Sequence, residues 1–540
     1  MKPPFVFALL LLTATASTVR SDADLQAEHL GTVAFATSCA AAAQPLFNRA
    51  VALLHSFEFG RAIDGFGATL GADPSCGIAE WGIALSRWGN PFSVETRPAA
   101  TLQMGSEAVR RARAAGFGTD RERHYVEAVA KLYDGGAAVD QLTRLVAYRD
   151  AMAAVAAAYP DDPEAAIFHA LSIAVVAASE PADPSYADAL RAGAILERLF
   201  ARMPGHPGLA HYIIHTYDYP PLAGRAVDAA RRYAEIAPDS PHARHMPSHT
   251  FTRVGSWQES IDANVAAAEA ARRHGVVGEE LHTMDYRVYA YLQTAQDAKA
   301  AAVLGALPGV AARYDPRADN GAAPPVAAYF AMAAIPARVA LERGAWKDAA
   351  ALVPHPTDYP FTEALTWLAR AVGAGHTGNR DVVKASVDAL TDITRTLSTR
   401  HQSYWAGQTD IQRHEAIAWL ALVDKQTDVA IAELRRAAAM EDGTEKSVVT
   451  PGPLVPAREM LGRLLLQLGR PAEALEEFET TLKREPNRFE SLYGAGKAAS
   501  LAGDRVRARA HYEQLASICT RADTPVRTEL VEVRKALQNR

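Results

Sequence analysis

Apolar residues recur along almost the whole chain at the three- and four-residue spacing of a helix face, with alanine abundant throughout, while alternating runs of Val, Ile and Thr are missing. The pattern predicts an all-α protein. A longer rhythm overlies it: a small residue is followed twelve positions later by a proline at Ala62 and Pro74, Ala151 and Pro163, Ala226 and Pro238, and Ala474 and Pro486. Two antiparallel helices that cross closely need a small side chain at the crossing. A proline at that distance ends the second helix, because it cannot supply the next hydrogen bond. A turn glycine stands five residues before the small one at Gly255 and Ser260, Gly344 and Ala349, Gly469 and Ala474, and Gly503 and Ala508. Ser260 follows Ala226 by 34 residues, and Ala508 follows Ala474 by the same 34.

The unit is sharpest between Leu461 and Leu515, where Leu461-Gly462, Ala474, Phe478 and Pro486 keep fixed spacings. In length and in these residues the stretch resembles the tetratricopeptide (TPR) family. The resemblance implies an α-solenoid, a right-handed superhelix of antiparallel helix pairs whose first helices line a concave groove, usually for a peptide or partner protein. One helix pair cannot bury its own apolar face, so stacked neighbours build the core. Upstream units are degenerate, most lacking the aromatic and Leu-Gly signature. The expected organisation is N-terminal TPR-like repeats over 21–313, a linker over 314–326 that divides the array into two lobes, and C-terminal repeats over 327–540, clearest at 457–520. The linker holds YDPRADNGAAPP, Tyr314 to Pro325. A second interruption makes Ala430 and Ala474 44 residues apart, ten more than one unit. Its excess, Glu441 to Pro453, is expected as a plain surface loop at one edge of the groove, although such a loop can also gate a ligand.

Charge narrows the partners. The 56 Lys and Arg against 62 Asp and Glu leave a net charge of −6, which argues against a nucleic-acid binder held by a broad basic face. Three cysteines exclude a disulfide scaffold and a four-thiolate zinc module. At the N-terminus, Lys2 precedes the apolar run Phe5 to Ala16, and Ala14 and Ala16 fit a signal-peptidase site, so residues 1–20 read as a secretory leader. The run is shorter than the roughly 20 residues of a transmembrane helix. A soluble, exported protein, periplasmic or secreted, is expected. Export permits a disulfide, and Cys39 and Cys76 each fall just ahead of an apolar helical pattern; Cys519 is left as a small buried side chain.

The histidines fall in the register of the repeat. HYIIH carries His211 and His215, and HMPSH carries His245 and His249. A spacing of four puts both imidazoles on one helix face, which suits chelation of a single ion. The second pair follows the first by 34 residues, one repeat later. With Ala226 and Ser260 as position 20, the pairs occupy positions 5 and 9, which the TPR resemblance places on the concave wall. Adjacent inner helices pack roughly 8–10 Å apart, a gap that imidazoles can span around an ion. Four rings are therefore expected to converge. His282 and Asp285 on the next inner helix, beside Tyr286 and Tyr289, and His242 at the groove entrance extend the set. Six histidines can also divide three and three between two ions. Pro247 inside the second pair threatens the geometry if it starts a new helix.

Imidazoles without thiolates favour copper, zinc or iron over calcium or magnesium. The HExxH signature is absent, because Tyr212 and Met246 stand where its glutamate belongs. If the centre is catalytic, Asp218 or Asp285 supplies the acid or base; either can instead orient a histidine. His55 at position 13 reads as a satisfied groove-wall residue, and Trp81 with Trp88 as packing. No P-loop, dinucleotide glycine fingerprint or GxSxG elbow is found, so no nucleotide cofactor is expected. Three functions are compatible with these features: a metal-binding TPR groove, a peptide- or protein-binding scaffold without metal, and a metalloenzyme acting on a small molecule or peptide.

Overall fold

The computed structural model describes residues 28–93, 96–180, 183–318 and 320–538; the expected leader lies outside them. Among the described residues there is no strand, and helices follow one another in antiparallel pairs such as Gln44–His55 with Phe59–Ala72, Trp257–His274 with Val277–Gln293, and Pro471–Arg484 with Phe489–Leu501. The chain is an all-α, TPR-like solenoid. Most of its tight crossings sit where the small residues predicted them: Ala62, Ala226, Ser260, Ala349 and Ala474 are fully buried and Ala508 nearly so, whereas Ala151 is only half-buried. The four turn glycines, Gly255, Gly344, Gly469 and Gly503, all adopt positive φ, the conformation that ends one helix and aims the next back along it. Gly462 backs onto the Phe478 ring, where a Cβ would lie 3.0 Å from the ring carbon. The prolines divide in role. Pro74, Pro238 and Pro486 follow helix ends, but Pro163 opens the helix Pro163–Ser179, because a missing N–H costs nothing in a first turn.

Alternate helices touch to form a continuous inner wall, from Val277–Gln293 through Pro325–Glu342 and Pro360–Thr377 to Ser403–Val423. The segment expected to separate the lobes does not interrupt it. Asn320 Oδ1 accepts from the Gly278 nitrogen at 2.9 Å and Glu279 Oε2 from the Ala323 nitrogen at 3.0 Å, which ties the crossover to the start of Val277–Gln293. The Gly and Pro content that suggested a linker serves a hydrogen-bonded return.

Further along, the solenoid meets itself. Helix Phe489–Leu501 touches Val277–Gln293, and Trp257 Nε1 donates to the Asn487 carbonyl at 2.7 Å. Arg488, wholly buried, pairs with Glu342 and with Glu459 and reaches the Tyr289 hydroxyl at 3.2 Å. Glu459 is therefore one of two carboxylates that hold this closure.

The second half of the insertion does not lie on the surface. Between helices Thr427–Asp442 and Ala457–Gln467 it runs as a strap against the inner wall, with Val449, Thr450 and Leu454 buried. Its carbonyls are satisfied there. Arg338 donates to Gly452 and Pro453 at 2.8 Å each, and the Tyr286 hydroxyl donates to Thr450 at 3.1 Å. Irregular backbone can be buried only when its polar groups find such partners.

Candidate metal centre

Three inner helical segments carry the histidines. Pro207–Thr216 bears His211 and His215, and Val277–Gln293 bears His282. Between them, Ser240 caps Pro241–His245 by accepting from the Ala243 nitrogen, and Pro247 opens Pro247–Arg253. The break at Pro247 is nominal: Met246 keeps helical angles (φ −54°, ψ −35°), so the turn runs on and His245 and His249 stay on one face, ring centroids 5.0 Å apart.

The rings do not meet as four around one point. They form two groups of three, His211 with His215 and His242, and His245 with His249 and His282; in each group one ligand atom from every ring lies within 4.8 Å of the others. Each helical pair is completed by a histidine from the next inner segment. The superhelix offsets neighbouring helices, so the third ring, not the second pair, is nearest. The groups adjoin one another, with 6.0 Å between the His215 and His249 centroids and 6.1 Å between those of His242 and His245. All six side chains are between 0 and 6% exposed.

Hydrogen bonding fixes which nitrogens are bare. Asn264 Nδ2 donates to the Ser260 carbonyl at 2.8 Å, so its Oδ1 faces His245 Nδ1 at 2.7 Å and accepts from it. Asp218 Oδ2 accepts from His249 Nδ1 at 3.2 Å. Both rings thus carry their proton on Nδ1, and the two Nε2 lone pairs face each other at 3.1 Å. Two lone pairs at that distance repel unless a cation lies between them. Two nitrogens bound tetrahedrally at about 2.0 Å would stand roughly 3.3 Å apart. The other group repeats the pattern: His211 Nδ1 donates to the His55 carbonyl at 2.6 Å and His242 Nδ1 to Glu279 Oε1 at 3.0 Å. The Nε2 atoms of both are buried with no hydrogen-bond partner among the described residues, as are both nitrogens of His215. Buried polar atoms normally find partners, and a tethered Nδ1 opposite a bare Nε2 is how metal-ligating imidazoles are oriented.

Electrostatics keep five of the rings neutral. Burial, and then the neighbouring imidazoles, push His211, His215, His245 and His282 well below the usual histidine range; burial pushes His249 down to about 4 despite Asp218. Neutral imidazole is the metal-binding form. Burial alone would raise the Asp218 carboxyl, but Lys446 from the strap, Arg253 and His249 hold it well below the ordinary value. Asp218 is thus an orienting carboxylate. Asp285 is not brought to the histidines: it pairs with Arg338 at 2.7 Å, which the sequence could not show because Arg338 lies 53 residues away. Aromatic rings complete the surroundings, with Phe92 stacked on His215 at 4.3 Å, Tyr233 on His211 at 5.2 Å, and Tyr286 within 5.0 Å of both His245 and His249.

Asn264, Glu279 and Lys446 carried no sequence signal, since each matters only through a partner on another helix. A third group also went unread. His55 and His206 each place Nε2 on Glu164, at 2.9 and 3.0 Å, and His55 Nδ1 meets the Tyr212 hydroxyl at 3.0 Å. Here the facing nitrogens are satisfied by the carboxylate, which the two imidazoles hold low against the effect of burial. His55 is the satisfied wall residue expected, with its carbonyl orienting His211. Trp81 is fully buried against Phe35, Tyr125 and Phe168. Cys39 and Cys76 are joined in a disulfide, and Cys519 is a buried thiol.

No family model matches the chain, and neither does any curated protein. Solved structures similar to it include the human IFIT1 dimer with m7Gppp-AAAA, at 11% identity and a TM-score of 0.36, covering 82% of this chain and 90% of that one. The APC/C hetero-tetramer Cut9-Hcn1 follows at 9% identity and a TM-score of 0.34, covering 92% and 90%. Naa15/Naa10 bound to HypK-THB stands at 12% and 0.24, covering 92% and 79%. Among the described residues no helix is long and apolar enough to cross a membrane.

Proposed function

We propose that this protein is an exported metalloprotein that holds two transition-metal ions in the interior of a TPR-like solenoid, one in each histidine triad. The observation that carries the reading is the 3.1 Å approach of two Nε2 atoms whose protons are committed to Asn264 and Asp218. Three imidazoles without thiolate suit copper or zinc. Iron is less favoured, since its non-haem sites commonly add a carboxylate, and the carboxylates here face Nδ1 atoms. Three protein ligands leave a coordination position for water or a small molecule, the arrangement of catalytic rather than structural sites. Export rests on the leader pattern in residues 1–20, with the Cys39–Cys76 bridge suited to an oxidising compartment.

Elemental analysis of the full chain purified from its own envelope tests the proposal. The expected result is two equivalents of copper or zinc. His245→Ala with His249→Ala is expected to remove one, and His211→Ala with His242→Ala the other, with helical content preserved. Protein that is metal-free and also fails to bind either metal at about micromolar concentration overturns the reading and leaves a scaffold.

A further inference from the structure

Beside the strap, and lined in part by it, lies a cavity of about 90 Å³, bordered by residues of helices Pro325–Glu342, Pro360–Thr377 and Ser403–Val423. A single water needs roughly 10–15 Å³, so the space takes a small organic group. One wall is aromatic: the rings of Phe361 and Trp405 stack at 3.7 Å and 3°, with Phe330 6.2 Å from Trp405. Two acids border the same space. Glu415 lines the cavity at 2% exposure, and its carboxyl makes no hydrogen bond or ion pair among the described residues. Glu441, from the last turn before the strap, accepts only the Ala457 N–H, at 2.9 Å. The cations that border the space are already committed: Arg253 and Lys446 to Asp218, Arg338 to Asp285, Arg458 to Asp442. Arg484 donates to the backbone carbonyls of Asp442 and Thr444.

Aromatic rings and two buried carboxyls in one cavity, Glu415 with no ion-pair partner among the described residues, have one complement. We propose that this cavity binds an organic ammonium ion, its hydrocarbon body against Phe361 and Trp405 and its charge at Glu415 and Glu441. A charged donor meeting a buried carboxylate makes the stronger class of hydrogen bond. Burial, and then their mutual repulsion, lift the Glu415 carboxyl, and burial lifts Glu441 to about 7; a neighbouring ammonium relieves that repulsion. The inference does not depend on metal in the histidine triads.

Calorimetric titration of the chelator-treated full chain tests it, with phenethylammonium chloride against 2-phenylethanol, which has the same body and no charge. The ammonium is expected to bind at least about tenfold more tightly. Glu415→Gln, an isosteric change, is expected to erase that preference, and Glu441→Gln to reduce it. Equal affinity for the two probes, an unchanged preference in a folded Glu415→Gln protein, or no ammonium binding up to about 10 mM each overturns the proposal. Because the ligand comparison uses the unsubstituted chain, a variant that fails to fold does not shelter it.

Discussion

At the scale of single residues, the centre depends on groups that hold imidazole protons away from it. Asn264→Ala removes the acceptor that keeps the His245 proton on Nδ1, and it should weaken metal binding about 10- to 100-fold with little change in helicity. Competition with a chromophoric chelator reads this directly; unaltered affinity would show that the tautomer is set elsewhere. The lowered ring pKa values carry a second prediction. The unfolded rings titrate near 6.5 and the folded ones far below, His249 at about 4, so between those values the unfolded chain binds more protons. Stability of the metal-free protein is therefore full above about pH 6.5 and falls as pH drops toward 4. Urea midpoints at pH 7.5 and 5 should differ in that direction, and replacing His245 and His249 by Ala should flatten the difference. The register of the histidines was legible because it is a matter of counting. Their division into threes was not, since whether His215 lies nearer His242 or His249 depends on the offset between helices, which the sequence does not state.

At the scale of elements, the strap differs most from its sequence. Glu441 to Lys446 is polar and reads as exposed, yet Lys446 is buried against Asp218 and the following carbonyls are held by Arg338. Arg338→Met should both free the strap and strand Asp285, a carboxylate that burial already lifts against the pull of Arg338. Losing one partner of a buried pair costs about 3–5 kcal/mol, measurable by denaturant unfolding, and proteolysis within 443–453 should accelerate in the same variant. The disulfide acts at the opposite end of the array. It closes a loop with a sequence separation of 37, so Cys39→Ser with Cys76→Ser should cost about 3–4 kcal/mol by loop entropy. A loss below about 1 kcal/mol would mean that the neighbouring helices already confine the unfolded chain. Helix pairs, turn glycines and crossing alanines were all readable, because each is fixed within one 34-residue unit.

At the scale of the molecule, contacts some 200 residues apart close the solenoid, and none leaves a local trace. Arg488 looks like any polar residue after a repeat-ending proline, but it sits between Glu342 and Glu459 and beneath Tyr289. Arg488→Met leaves two buried carboxylates without their ion-pair partner, and calorimetry should show one transition for the unsubstituted chain and two for the variant. A one-step transition at nearly unaltered temperature would mean that the closure is held by packing alone. Closure also alters how the repeats depend on one another. An open array tolerates loss of an end unit, whereas here the end unit seats against the helix that bears His282.

The strap has a consequence for the order of events in biogenesis. It follows the histidine pairs by about 200 residues, and its Lys446 pairs with the Asp218 that orients His249. On the proposed reading, an ion arriving from this side enters before the strap docks or waits for it to lift. Metal present while the chain folds should then be taken up faster than metal added to the finished apo-protein, a difference that stopped-flow mixing of refolding and of folded protein can read.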